Sequence, residues 1–136
     1  MASIFTKIIN GEFPCYKIVE DDHFIAFLDI DPNAKGHTLC VPKKEVDKLL
    51  DLDEETYLGL MQFARKVGLA IEKTLVCNRV GMSVIGLEVP HVHVHLIPLN
   101  EMKDMSFKHK IAMDNEAFIA LAKKLNLTIN RFVSIR

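Results

Sequence analysis

The stretch EVPHVHVHLIPL, residues 88–99, is the one on which the reading of this chain turns. Three of the six histidines stand here, at positions 91, 93 and 95, with valines between them. Valine, isoleucine and leucine favour an extended strand, and side chains alternate faces along it. His91, His93 and His95 are therefore expected on one face, about 7 Å apart in succession, with Val92, Val94 and Leu96 on the other. The valine face reads as core, so the histidine face must be solvated, paired or functional. Three readings stand open on the stretch alone. It is a half-buried strand whose polar face is histidine, or a metal site in which two histidines at i, i+2 share a zinc ion. The third reading is acid–base or nucleophilic chemistry near neutral pH, which suits an imidazole of unperturbed pKa about 6.5.

Working outward, the 136 residues suffice for a domain with a real core, and 49% hydrophobic with 26% charged residues describes a globular chain. The apolar share leaves room for a buried subunit interface. A net charge of −1 argues against non-specific nucleic-acid binding. Cys15, Cys40 and Cys77 are odd in number and far apart, which reads as free or buried thiols in a reducing compartment. No signal peptide and no membrane-length apolar run is evident, so a soluble cytoplasmic protein is expected, without membrane association.

Upstream, Ile4, Phe5, Ile8 and Ile9 can share the face of a short helix, which Pro14 is expected to break. Tyr16–Glu20 and the run FIAFLDI predict a hairpin around Asp21-Asp22, and HTLCVP predicts a third strand. A short helix is expected in KKEVDKLLDLD. The spacing predicts a long helix over 53–73, capped by Asp53, with Tyr57, Leu60, Met61, Ala64, Val67 and Ile71 on one stripe. Gly59 and Gly68 would let another backbone approach. NRVGMSVIG reads as the fourth strand, joined by a tight connection at Gly86-Leu87 to a fifth over 88–98. A polar loop precedes a C-terminal helix at 114–127 with Phe118, Leu121, Ala122 and Leu125 on one face. The class is α+β, with an antiparallel sheet and two principal helices. A single domain over 1–136 is expected, with its core at about 3–99 and a loop and helix at 100–136.

Two further sites carry chemistry. In FLDIDP, Asp29 and Asp31 either cap a loop or grip a pair of substrate hydroxyls, and in KGHTL, His37 opens a strand. No phosphate loop, dinucleotide fingerprint or cysteine-rich zinc framework occurs.

The segments SIFTKIINGEFPCYKIVEDD, FIAFLDIDPNAKGHTLCVPKKEV and GLEVPHVHVHLIPL together resemble the histidine triad (HIT) family, in its branch of small one-domain nucleotide-binding proteins. The resemblance implies a HIT-like five-stranded antiparallel sheet with a long helix and a C-terminal helix, and a homodimer. It implies a nucleotidyl hydrolase or transferase, without a cofactor, cleaving at the α-phosphate of nucleoside phosphoramidates, aminoacyl adenylates or dinucleoside polyphosphates. A purine nucleotide or nucleotide conjugate would be its partner. His93 would be the nucleophile, His95 would bind the phosphate, His91 would orient His93 partly through its backbone carbonyl, and His37 would back the cluster. Asp29 would hold the ribose hydroxyls. Phe27, Ile30 and Ile4 would line the base pocket, with Ser83 and Val89 also at the substrate. The chain departs from the family's usual residues at Leu87 and Glu88, where glutamine and a hydroxyl residue are common, and at Ser83, where asparagine is common. Ser3, Thr6 and Glu45 stand where some relatives hold a structural zinc with cysteines and histidine, so no metal is expected. The departures leave a second expectation, a nucleotide-binding regulatory protein with little turnover.

Overall fold

The computed structural model describes residues 2–133, so the expected limits at 1 and 136 lie outside it. The elements run α1 (Ile4–Ile9), β1 (Lys17–Glu20), β2 (Phe24–Leu28), β3 (Thr38–Pro42), α2 (Glu54–Thr74), β4 (Arg79–Ser83), β5 (Val94–Leu99) and α3 (Asn115–Phe132). Five strands form one antiparallel sheet in the order β1-β2-β3-β5-β4. The fold is thus α+β, with α2 and α3 as its principal helices.

β2 and β3 are apolar at nearly every position and buried throughout, because the sheet is covered on both faces. Ala26, Leu28, Cys40, Val94 and Leu96 face Leu60, Ala64, Val67 and Ile71 of α2 and Leu121, Leu125 and Ile129 of α3. On the opposite face, Ile25, Phe27, Leu39 and Val41 meet Phe5 of α1, with Ile8 and Ile9 beside it. Alternate residues of one strand therefore serve two cores, and a one-residue slip would exchange every one of them.

Local chemistry sets the helix ends. Asp53 accepts the Thr56 N–H at 3.1 Å and starts α2, and Asp114 accepts the Ala117 N–H at 2.8 Å and starts α3. α2 buries Phe63 and Ala70 in addition to its expected stripe, since it packs against both the sheet and α3. α3 continues five residues past 127, with Ile129 extending its buried face. No helix among the described residues is long and apolar enough to cross a membrane.

Several expectations are corrected. α1 ends at Ile9, and Gly11 at φ 79°, rather than Pro14, turns the chain away. Ile4 faces outward while Phe5 is buried. The short helix expected in 43–53 is a single 3-10 turn at Leu49–Asp51. β5 starts at Val94, not at 88. Residues 84–93 form an irregular connection in place of a tight turn, because Pro90 has no N–H to pair and the Val92 N–H goes to the Val46 carbonyl at 2.8 Å. The glycines of α2 admit side chains, not a backbone: a Cβ at Gly59 would lie 2.8 Å from the Phe24 ring, and one at Gly68 would lie 3.9 Å from Val80.

Those two distances predict opposite outcomes for the same exchange. Alanine is favoured over glycine inside a helix by roughly 1 kcal/mol, so Gly68→Ala is expected to raise the melting temperature. Gly59→Ala is expected to lower it, because the buried Phe24 ring must move aside. Melting of G59A above the wild type would show that the ring yields freely.

Candidate functional site

The face of the sheet that carries α1 also carries the histidines. In the strand register His95 stands opposite Leu39 of β3 and Ser83 of β4, and Leu39 stands opposite Phe27 of β2. Directly paired residues of antiparallel strands share a face. Phe27, Leu39, His95 and Ser83 therefore form one row across the sheet, apolar toward β2 and polar toward β4. His93 and His91 precede β5 on the same side, while Val92, Val94 and Leu96 enter the helix-side core. The alternation of faces holds, although His91 and His93 lie outside any regular strand.

All four imidazoles are buried, and their hydrogen bonds assign their protons. His93 Nδ1 lies 2.7 Å from the His91 carbonyl oxygen, which can only accept. Nδ1 therefore carries the proton and the lone pair is on Nε2. His91 Nε2 likewise donates to the Pro42 carbonyl at 2.8 Å, so its Nδ1 accepts from Ser3 Oγ at 2.6 Å. His37 Nδ1 accepts the Asn33 N–H at 2.9 Å; its Nε2–H then donates to His95 Nδ1 at 2.9 Å, which places the His95 proton on Nε2. Two groups emerge without a partner among the described residues, a lone pair on His93 and an N–H on His95, on rings whose centroids are 4.9 Å apart.

The rings are neutral because burial penalises their charged forms. Burial, then the charges of His95 and Lys110, hold His37 down at about 3. Burial, then His93 and Lys110, hold His95 at about 4. Burial also lowers His91 and His93, against the opposing effect of their bonds to carbonyl oxygens.

Asp29 follows the end of β2, beside this cluster. One carboxylate oxygen accepts the Asp31 N–H at 2.8 Å, so it does cap its loop, while the other lies 3.5 Å from His37 Nε2. Burial raises its pKa, and the Asp31 N–H and Lys110 pull it back. Ser83 Oγ is buried without a hydrogen-bond partner. Val89 packs on the α1-side core. Of the residues expected in a base pocket, Phe27 is only 3% exposed beneath Phe5, whereas Ile4 and Ile30 are 49% and 74% exposed and form no buried wall.

Other residues reach the cluster without having been singled out for it. Phe5 packs edge-to-face with His93 at 4.8 Å between ring centroids, and Phe107 does the same with His95. Lys110 lies over Phe107 and donates to the Asp31 carbonyl at 3.0 Å and to Asn33 Oδ1 at 2.9 Å. A lone aromatic and one of three lysines in a polar loop carry no periodic signal. Ser3 and Thr6 were marked only by their place in the resemblance.

Two groups of side chains invite a metal. Asp29, His37 and His95 offer donor atoms within 4.8 Å of one another, but His37 Nε2 and His95 Nδ1 are joined to each other by a hydrogen bond. Ser3, Thr6 and Glu45 around His91 supply hydroxyls and a carboxylate, not the thiolate–imidazole set of a structural zinc site.

Comparison with known proteins places the chain in a family and a fold. The HIT domain family profile matches residues 10–102. An uncharacterized HIT-like protein of Borreliella burgdorferi is 34% identical over 135 residues, covering 93% of this chain and 97% of that protein. The adenosine 5'-monophosphoramidase of Schizosaccharomyces pombe is 39% identical over 100 residues, 72% of this chain and 74% of that one. The crystal structure of a hypothetical histidine triad nucleotide-binding protein from Sulfolobus tokodaii superposes with TM-score 0.83 at 32% identity, over 93% of this chain and 91% of that one.

The lowered imidazole values predict a pH dependence of stability. Between a native pKa of about 3 or 4 and an unfolded value of about 6.5, the unfolded chain holds a proton that the native one lacks. Stability is then full above about pH 6.5 and falls as pH drops. From roughly pH 7 to roughly pH 5 the loss is about 1–2 kcal/mol for each of His37 and His95. Urea unfolding at both pH values is expected to show it, with a smaller fall in His37→Asn. Equal slopes for the two proteins would contradict a buried neutral His37.

Proposed function

This chain belongs to the histidine triad family, and from that premise we propose that it is a nucleotidyl hydrolase. Its substrates would be purine nucleoside phosphoramidates, aminoacyl adenylates or dinucleoside polyphosphates. The observation that carries the reading is the 2.7 Å contact between His93 Nδ1 and the His91 carbonyl, which leaves His93 Nε2 as a free lone pair. That nitrogen forms a bond to the α-phosphorus as the bond to the leaving group breaks, and the leaving group takes up a proton. The imidazole becomes positively charged in the step, and the His91 carbonyl, already bonded to Nδ1–H, steadies that charge. Water then attacks phosphorus and gives up a proton to solvent, in place of the one that the leaving group took, and His93 leaves as neutral imidazole. The relative named as a phosphoramidase supports this class of reaction.

The remaining groups take places around that step. His95 Nε2–H donates to a phosphate oxygen, and His37, acting through His95 Nδ1, keeps the proton there. The unpartnered Ser83 hydroxyl lies in the same row and donates to the phosphate as well. Asp29 accepts the ribose hydroxyls, and the base lies on the apolar end of the row beside Phe27, Ile4 and Ile30. Partly buried free thiols at Cys15 and Cys77 suit a cytoplasmic setting.

A second reading, a regulatory nucleotide binder with little turnover, is favoured by residues 84–93. Leu87 there is 90% exposed and offers a phosphate nothing, and the Glu88 charge reaches both His93 and Asp29. One experiment separates the two. Wild type is expected to turn over a member of a panel of adenosine phosphoramidate, a lysyl adenylate analogue and diadenosine tetraphosphate. His93→Ala is expected to lose several orders of magnitude in kcat while nucleoside monophosphate affinity changes little. Nucleotide binding without turnover of any member would favour the regulatory reading, and near-normal rates in H93A would remove His93 as nucleophile.

We also propose a homodimer joined through β4. That strand ends the sheet with one edge unpaired, and Met82 on it and Val76 before it are exposed. Light scattering at micromolar concentration should give twice the chain mass; a monomer's mass would exclude the interface.

A further inference from the structure

Behind the histidines lies a second layer of polar groups. Ser3 is the N-cap of α1 and accepts the Thr6 N–H at 3.1 Å. The same hydroxyl donates to His91 Nδ1 at 2.6 Å, because His91 has already given its own ring proton to Pro42. One oxygen of Glu45 accepts both the Ser3 N–H at 2.7 Å and the Thr6 hydroxyl at 2.6 Å. Those two bonds hold the Glu45 carboxyl at about 2, so it is ionised across the physiological range. Glu45 itself stands 4.0 Å from His91, so it reaches the imidazole through Ser3.

We propose that Ser3, held by Glu45 and Thr6, is a positioning group for the nucleophile, acting through the ring and the backbone carbonyl of His91. The proposal rests on the hydrolase reading above and deepens it. The His91 ring is clamped at both nitrogens, by the end of β3 on one side and by α1 on the other. Its carbonyl is the group that takes the His93 Nδ1 proton, and residues 84–93 have no strand ladder to hold that carbonyl in place. The ring clamp supplies the missing constraint. α1 contributes twice, since Phe5 on the same helix packs edge-to-face with both rings, its centroid 5.9 Å from that of His91 and 4.8 Å from that of His93. If the Ser3 hydroxyl is lost, the buried lone pair on His91 keeps only the Thr6 hydroxyl at 3.4 Å, which already donates to Glu45 at 2.6 Å, and α1 loses its cap. The His91 carbonyl can then turn, and His93 is free to exchange tautomers, with its lone pair on the wrong nitrogen part of the time.

The test uses Ser3→Ala, Ser3→Thr and Glu45→Ala in the full chain, with Asp53→Ala as a comparison that removes the cap of α2 far from the histidines. Two quantities are read well below the melting temperature: kcat and KM on the best substrate of the panel, and the tautomer of His93 from nitrogen-15 NMR of the histidine rings. S3A and E45A are expected to lower kcat by roughly tenfold to a hundredfold with KM within about twofold, as for a misplaced reacting group. They are also expected to mix the His93 tautomers. S3T restores both quantities, and D53A, though less stable, changes neither. A wild-type His93 tautomer in S3A and E45A, with kcat within about twofold of wild type, would reduce Ser3 to a helix cap and overturn the proposal. If the wild type turns over nothing on the panel, the hydrolase reading fails, and the NMR measurement still decides the positioning role: unmixed tautomers in S3A and E45A overturn it.

Discussion

Four imidazoles lie side by side in this protein with almost no access to water, and the surrounding structure answers to that fact. A buried polar nitrogen without a partner is costly. The partners here are carbonyls, one amide N–H, one hydroxyl and other imidazoles, and each bond dictates where the neighbouring proton sits. The outcome is a set of neutral rings in defined tautomers. Among the described residues six of the eight ring nitrogens are engaged in this way, and the two left over belong to His93 and His95, whose ring centroids are 4.9 Å apart. A reactive lone pair next to an N–H donor follows from satisfying everything else.

The partners come from pieces distant in sequence. α1 brings Ser3 and Phe5, the loop after β2 brings Asp29 and Asn33, and the end of β3 brings the Pro42 carbonyl. The stretch after β5 brings Phe107 and Lys110. That last segment is tied down by its own bonds: Asn33 Nδ2 donates to the Asp104 carbonyl at 3.1 Å, and the Ile111 N–H donates to the Pro32 carbonyl at 2.9 Å. Phe107 is thereby held against His95 and His37, and Lys110 places a positive charge beside them that disfavours a second one on either ring. Burial and this charge act in the same direction, so the N–H that His95 presents is that of a neutral ring.

The two cores explain why the cluster can be so closely specified. β2 and β3 are buried on both faces, so neither can slide without carrying apolar residues out of one core and into the other. The row from Phe27 through Leu39 and His95 to Ser83 is therefore set by packing on the far side of the sheet as much as by anything at the site. The irregular segment 84–93 lacks that guarantee, and there the chain relies on side-chain bonds to His91.

The sequence by itself determined a good deal. Alternation in 91–96 divided the histidines from the core-facing valines, and helical spacing with aspartate caps located α2 and α3. The order of FLDIDP, GHTL and HVHVH was enough to indicate the family. These are short-range signals, carried by periodicity, by caps or by contiguous motifs. What only the tertiary structure decided is of another kind. That β5 begins at Val94 follows from the Val92 N–H bonding to Val46, a pairing that no local pattern announces. Ile4 and Phe5 are equally apolar in sequence, yet packing buries one and exposes the other. Which nitrogen of His91 holds its proton depends on Ser3 and Pro42, 88 and 49 positions away, and that of His95 depends on His37, 58 positions away, whereas the His93 proton is set by the His91 carbonyl two positions back. A tautomer is a property of hydrogen-bond partners, and partners distant in the chain meet only when it has folded.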